Sequence, residues 1–177
     1  MAVGSHDPEV WALNIGRFIM AFGQIEWSVN FVLRSWITDK KLRKRILEMQ
    51  LADRIVLLRS MAPTQNFGAP ANLKILFAQL DEIGHLQSQR NLLAHSPMSI
   101  TIEKYDPANP QGLRAEVVIS SERSDKRMKL SELIEVAAKV KGLSDTFSRN
   151  CTEIAQHGED FAGDGRVHVA HLDEWKP

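Results

Sequence analysis

The sequence predicts a mainly α-helical protein, a four-helix bundle with a small β-hairpin inserted between its third and fourth helices. Over four long stretches the apolar residues recur at steps of three and four, which is typical of the buried face of a helix. Between the third and fourth stretches they recur at every second position, which is typical of strands. Turn-forming residues are dense between the two alternating runs, so the strands are predicted to form a hairpin.

The first helix is predicted to begin at Pro8. Asp7 is a suitable N-cap, proline suits the first helical position, and Glu9 adds an acid to the first turn. Apolar residues then alternate steps of four and three and form a heptad-like seam, which we expect to be buried. The seam comprises Trp11, Ile15, Phe18, Phe22, Ile25, Val29, Val32 and Trp36, and it is widened by Ile19, Leu33 and Ile37.

Two further helices are predicted before the hairpin. The basic run at residues 40–45 is interpreted as a solvated helix start in preference to an RNA-binding patch. The second helical face follows it, with an expected break near residues 48–51, and comprises Leu47, Leu51, Ile55, Leu58 and Met61. The third face comprises Leu73, Leu76, Phe77, Leu80, Ile83 and Leu86.

The hairpin is predicted from alternation at Ile100 and Ile102 and again from residue 113 to Ile119, with Val118 on the opposite face. Residues 121–129 are expected to be irregular. A fourth helix is predicted from residue 131, with Gly158 as its C-cap. We therefore expect one helical domain at residues 1–158 and a mobile or loosely docked tail at residues 159–177.

Composition narrows the function classes. Hydrophobic residues make up 44% and charged residues 25%, as expected of a globular protein, and no stretch approaches the ~20 apolar residues of a membrane span. We therefore expect no membrane partner, and with no signal peptide evident at the N-terminus we expect a cytoplasmic location. The lone Cys151 cannot form an internal disulfide. The formal net charge is zero, so a nucleic-acid role must depend on a local patch.

The candidate catalytic residues are Arg90, Asn91 and His95, which lie at the end of the third predicted helix. The helix is expected to end there because Pro97 disfavours the α conformation at the residue before it. Asn91 and His95 are four residues apart and share a helix face, whereas Arg90 is rotated from His95 by about 140°. Arg90 and His95 can therefore reach the same phosphate in one of three ways. Arg90 curls round the helix, the last turn of the helix unwinds before Pro97, or a second copy of the motif supplies the partner.

These residue types can cleave RNA. Histidine transfers protons near neutral pH, and arginine stabilises the charge that develops on phosphoryl oxygens. Asn91 can orient the imidazole or the substrate. No cluster of metal ligands is evident near the motif, so neither a metal nor another cofactor is expected. A basic residue and a histidine at a helix end can also simply bind terminal carbonyl groups, and this structural interpretation stays open.

The motif and its context resemble the HEPN superfamily, the "higher eukaryotes and prokaryotes nucleotide-binding" domains. The resemblance rests on the helix order, on residues 22–30 and Asp53-Arg54, and above all on Arg90, Asn91 and His95, which match the family's Arg-x4-His pattern. It implies a metal-independent endoribonuclease, a toxin or phage-defence effector whose active site forms in a homodimer and which is controlled by an antitoxin or another regulatory protein. It equally allows a catalytically silent RNA-binding or protein-interaction module. The hairpin departs from the simplest HEPN bundles.

Overall fold

The computed structural model describes residues 7–64, 70–102, 115–121 and 125–161. Within them the chain is mainly helical, which confirms the mainly α part of the predicted fold class. The helices are α1 (Pro8–Trp36), α2 (Lys40–Glu48), α3 (Leu51–Met61), α4 (Pro70–His95) and α5 (Leu130–Phe161). The strands are β1 (Met98–Ile102), β2 (Ala115–Ser120) and β3 (Arg127–Lys129), which form an antiparallel sheet in that order. No helix of the described residues is long and apolar enough to span a membrane.

The start of α1 and most of its buried face agree with the prediction. The Asp7 carboxylate accepts a hydrogen bond of 2.9 Å from the Glu9 backbone N–H, as an N-cap does. Every residue of the predicted seam is buried except Ile15, which is half-buried. Ile19 does not widen the seam, because 38% of its surface is exposed. Helix α1 therefore uses its seam within the chain's own core.

The basic run forms a helix of its own, so the described residues contain five helices where the sequence predicted four. The Asp39 carboxylate begins α2 by accepting the Leu42 N–H at 2.8 Å. Ile46 is its one buried residue, and the lysines of the run are exposed, in agreement with a solvated helix. The predicted break is confirmed, since α2 ends at Glu48 and α3 begins at Leu51.

The hairpin is part of a larger sheet. Residues 127–129, predicted to be irregular, form β3 and pair with β2, with Ile119 opposite Met128. The prediction was wrong because three residues with a single apolar side chain show no readable alternation. Strand β2 is consequently the central strand, and Val118 and Ile119 are both buried although they point to opposite faces.

The last helix extends further than predicted. Helix α5 runs through Gly158 to Phe161, so Gly158 is not its C-cap. One glycine inside a helix costs about 1 kcal/mol relative to alanine, which does not by itself end a helix of 32 residues. The domain boundary at residue 158 and the tail at residues 159–177 stay predictions, and residues 162–177 lie outside the described residues.

The described residues divide into two compact units. Unit 1 lies within Met1–Gln24 and Asp81–Asp145, and it contains the end of α4, the sheet and the first half of α5. Its fully buried side chains include Trp11, Phe18, Ile83, Leu133 and Val140. The Phe18 and Phe22 rings stack with their centroids 5.9 Å apart. Unit 1 therefore holds both the candidate site and an aromatic core.

Unit 2 lies within Ile25–Leu80 and Thr146–Pro177 and contains α2 and α3. Its core includes a buried polar contact between α3 and α1, in which Arg54 donates a hydrogen bond of 2.5 Å to Asn30. Arg54 is only 8% exposed. A buried guanidinium needs acceptors such as the Asn30 amide oxygen, because burial of N–H groups without hydrogen bonds is destabilising.

Candidate active site

The end of α4 is held by its own last turn and by the sheet that follows. Leu92 and Leu93 are buried and anchor the turn, and the Ser96 N–H donates to the Leu92 carbonyl at 3.0 Å. Pro97 cannot continue the helix because it has no N–H to donate. The chain enters β1 at Met98, so His95 is the last helical residue, as predicted.

The three predicted residues differ in exposure. Asn91 and His95 are exposed, and Arg90 is half-buried. On a regular helix the Asn91 and His95 side chains are separated by only about 40° around the axis. The His95 imidazole has no hydrogen-bond partner among the described residues. The side chain is exposed, so a substrate could reach the imidazole.

Arg90 bends toward this face. Its Nη1 donates to the Asn91 Oδ1 across 3.4 Å, a long and hence weak hydrogen bond. Asn91 lies between Arg90 and His95 around the helix, so this contact is on the side of Arg90 that is nearer to His95. The structure thus brings Arg90 and Asn91 together, and His95 lies on the adjacent turn of the same helix.

The chemistry available at this helix end is that of a cation and an imidazole. A helix C-terminus attracts cations, so it favours the placement of both side chains. Among the residues that the structure describes, no group of three or more histidine, cysteine, aspartate or glutamate side chains could hold a metal ion. The arrangement can bind a phosphate and transfer a proton.

A cavity that the sequence did not reveal lies beside the motif in unit 1. It has a volume of about 510 Å³ and is formed by the end of α4, the strand β3 and the start of α5. Its wall on α4 includes Ser88 and Leu92, which lie within about 20° and 60° of His95 around the helix. Gln89, the third residue of α4 in the wall, lies about 120° from His95, so the cavity lies on the face of α4 that is adjacent to the imidazole.

Strand β3 explains why this cavity could not be predicted. Its pairing with β2 carries Lys126 and Arg127 to the cavity wall. The Lys129 N–H donates to the Glu132 Oε2 at 3.0 Å, which fixes the join between β3 and α5. The only sequence feature that could have pointed to the cavity is the basic pair Lys126 and Arg127. Pairs of exposed basic residues are too common to indicate a site.

Comparison with protein-family models, with curated proteins and with solved structures finds no match to this chain. The HEPN resemblance therefore stays a prediction based on the residues quoted for it.

Proposed function

We propose that this protein is a metal-independent endoribonuclease of the HEPN type. It cleaves single-stranded RNA, and Arg90, Asn91 and His95 form its active site. One observation carries the proposal. The Arg90 guanidinium contacts Asn91, which shares a helix face with the exposed His95, at the end of the helix that leads directly into the sheet. A phosphate-binding fork and a proton-transfer group thereby lie within two turns of one helix end.

The reaction needs only these groups. A neutral His95 imidazole takes the proton from a ribose 2′-hydroxyl, whose oxygen attacks the adjacent phosphorus. The bond to the 5′-oxygen breaks, and an imidazolium or a water molecule protonates that oxygen. Arg90 stabilises the charge that builds on the phosphoryl oxygens, and Asn91 orients the guanidinium. The products are a 2′,3′-cyclic phosphate and a free 5′-hydroxyl.

A homodimer completes the site in this proposal. One chain supplies one His95, whereas acid–base cleavage uses a base and an acid. A two-fold interface would present the same patch of both copies to one cleft, with two histidines and two arginines. The seam of α1 does not support the dimer, because it is buried within the chain. The interface is therefore proposed at the end of α4.

The alternative is a catalytically silent interaction module, and one observation favours it. Helix α1 exposes two large apolar side chains seven residues apart, with Leu13 at 53% and Met20 at 78% exposure. Residues seven apart lie on nearly the same helix face, so they form a short apolar strip suited to a partner protein. An antitoxin or another regulatory protein could bind there in either case.

Cleavage of labelled single-stranded RNA in EDTA separates the two functions. We expect His95→Ala to lower the rate by ~10²–10⁴-fold, the range of general acid–base catalysis, and Arg90→Ala to abolish detectable cleavage. Asn91→Ala should cause a smaller loss because Asn91 orients and does not react. His85→Ala is the matched control, since His85 is an exposed histidine earlier on the same helix. Strands with 2′-deoxyribose should resist.

Two outcomes would contradict the proposal. Equal cleavage by the wild type and by His95→Ala would indicate a contaminating nuclease. If neither cleaves any of a broad set of RNAs, the interaction module becomes the better proposal.

A further inference from the structure

The cavity beside β3 has an apolar floor to which all three of its elements contribute. Its volume of about 510 Å³ lies within the range of roughly 300–1,000 Å³ that is typical of ligand pockets. Leu92 of α4, Met128 of β3 and Val136 of α5 line it, and each of them is largely buried. An apolar group of a ligand that lies on this floor is removed from water, which favours its binding.

The rim of the cavity carries charges of both signs on different elements. Lys126, which directly precedes β3, and Arg127 are exposed cations. Glu132 and Glu135, near the start of α5, are exposed carboxylates, and residues three apart share a helix face. A bound molecule therefore meets positive charge on the strand side and negative charge on the helix side.

These four charged side chains are not paired with one another. Among the residues that the structure describes, none of the four takes part in an ion pair. Lys139 differs, because it also lines the cavity but binds Glu82 at 2.9 Å, so its charge is partly balanced. Opposite charges that line one cavity without pairing produce a field across it, and this field favours a ligand that carries both signs.

The two carboxylates have the capacity to bind an ammonium group. The Glu132 Oε2 accepts the Lys129 N–H at 3.0 Å, and a carboxylate has further acceptor positions. The Glu135 carboxylate accepts no hydrogen bond from any described residue. Glu135 is therefore the more available acceptor of the two.

We propose that this cavity binds a zwitterion with an apolar side chain, which is either an apolar α-amino acid or a short peptide of such residues with free ends. Its ammonium group binds Glu135 and its carboxylate binds Lys126 and Arg127. Its side chain lies on the apolar floor. Lys126 precedes Met128 by two residues, the spacing at which side chains share a face of an extended chain, so this cation and the floor face the same way.

Charge complementarity selects this ligand class over simpler ions. An anion would be attracted by the two cations of the rim but repelled by the two carboxylates, and the reverse holds for a cation. A zwitterion satisfies both sides at once. A zwitterion without a side chain, such as glycine, would leave the apolar floor in water.

The test uses methyl NMR of the whole 177-residue chain with 13C-labelled methionine. Met128 reports from the cavity and the exposed Met20 from outside it, and Met128→Leu assigns the signal. The probes are leucine and dileucine. Three comparison compounds each lack one part of leucine, namely isocaproate the ammonium group, isoamylamine the carboxylate and glycine the side chain.

We expect saturable shifts of Met128 but not of Met20 with leucine or dileucine, and binding at least tenfold weaker for each comparison compound. A response to leucine identifies a free amino acid as a ligand, whereas a response to dileucine alone identifies a peptide. The proposal is overturned if neither probe shifts Met128, or if isocaproate or isoamylamine binds as tightly as the better probe.

Two pairs of variants make the test specific. Glu135→Gln and Lys126→Gln each remove one charge of the rim and should each weaken binding of the better probe at least tenfold. The matched controls are Glu153→Gln on α5 and Lys74→Gln on α4, which change exposed residues of unit 2 and should leave the affinity unchanged. All four side chains are exposed, so the variants should fold. Equal weakening by a variant and its control would show a general effect of charge and would also overturn the proposal.

This inference goes beyond the proposed nuclease and does not depend on it. His95→Ala should bind the probe like the wild type, because the imidazole does not line the cavity. Binding of leucine or dileucine without RNA cleavage would support the cavity proposal and contradict the nuclease. Cleavage of RNA without binding of either probe would support the nuclease and contradict the cavity proposal.

Discussion

Replacement of Phe22 by alanine tests whether the aromatic core of unit 1 holds the fold together. Phe22 is 2% exposed and its ring stacks on Phe18, with an angle of 12° between the ring planes. Truncation of a buried phenylalanine to alanine costs about 3–5 kcal/mol, through lost apolar burial and the cavity that remains. An aromatic pair contributes about 0.5–1.5 kcal/mol beyond its buried area, so we expect a value toward the upper end.

Urea denaturation followed by circular dichroism measures this cost as a free energy of unfolding, and thermal denaturation followed by the same signal measures the Tm. A domain of this size loses about 2–4 °C of Tm per kcal/mol, so the Tm should fall by about 6–20 °C. Met20→Ala is the matched control, because Met20 is a large apolar residue of the same helix with 78% exposure, and it should change stability by no more than about 0.5 kcal/mol. A loss below about 1 kcal/mol for Phe22→Ala, or equal losses for both variants, would refute the assignment of the core.

Two further outcomes are expected. Burial raises the pKa of the Cys151 thiol from 9.0 to about 12. Below pH 9 the thiol is protonated in both the folded and the unfolded protein, whereas between pH 9 and 12 it ionises only in the unfolded protein. The free energy of unfolding should therefore fall by about 1.4 kcal/mol per pH unit in this range. Cys151→Ala should lose this component, and parallel stability curves of wild type and variant from pH 8 to 10.5 would contradict it. Light scattering should give a mass of about twice 20.0 kDa for a homodimer, whereas a monomer at all concentrations would exclude a composite active site.

The helices could be predicted because their patterns are long. The seam of α1 repeats over eight positions, and Asp7 lies where an N-cap is expected. The separate helix α2 was missed because its basic run has only one buried residue, Ile46. Strand β3 could not be predicted because its three residues acquire their structure only by pairing with β2. The prediction that α5 ends at Gly158 was wrong because glycine is favoured as a C-cap but is also tolerated inside a helix. Which of the two occurs depends on packing, which cannot be read from the sequence.

The candidate site was predictable as a position but not as a geometry. Pro97 located the end of α4, and the spacing of Arg90 and His95 showed that they differ in direction. The bend of Arg90 toward Asn91 is a rotamer, and rotamers depend on neighbours that are distant in sequence. The cavity was hidden for the same reason, since its wall combines α4, β3 and α5.

The link between α4 and the sheet has a consequence for engineering. Only Ser96 and Pro97 separate His95 from the first residue of β1. Residues of β1 are matched one by one to β2, with Ser99 opposite Val118 and Ile100 opposite Val117. An inserted residue would either displace the imidazole or slip β1 by one position, which would exchange the two faces of the strand. Chain length is therefore fixed here, and a library built around His95 should vary side chains while keeping residue number constant.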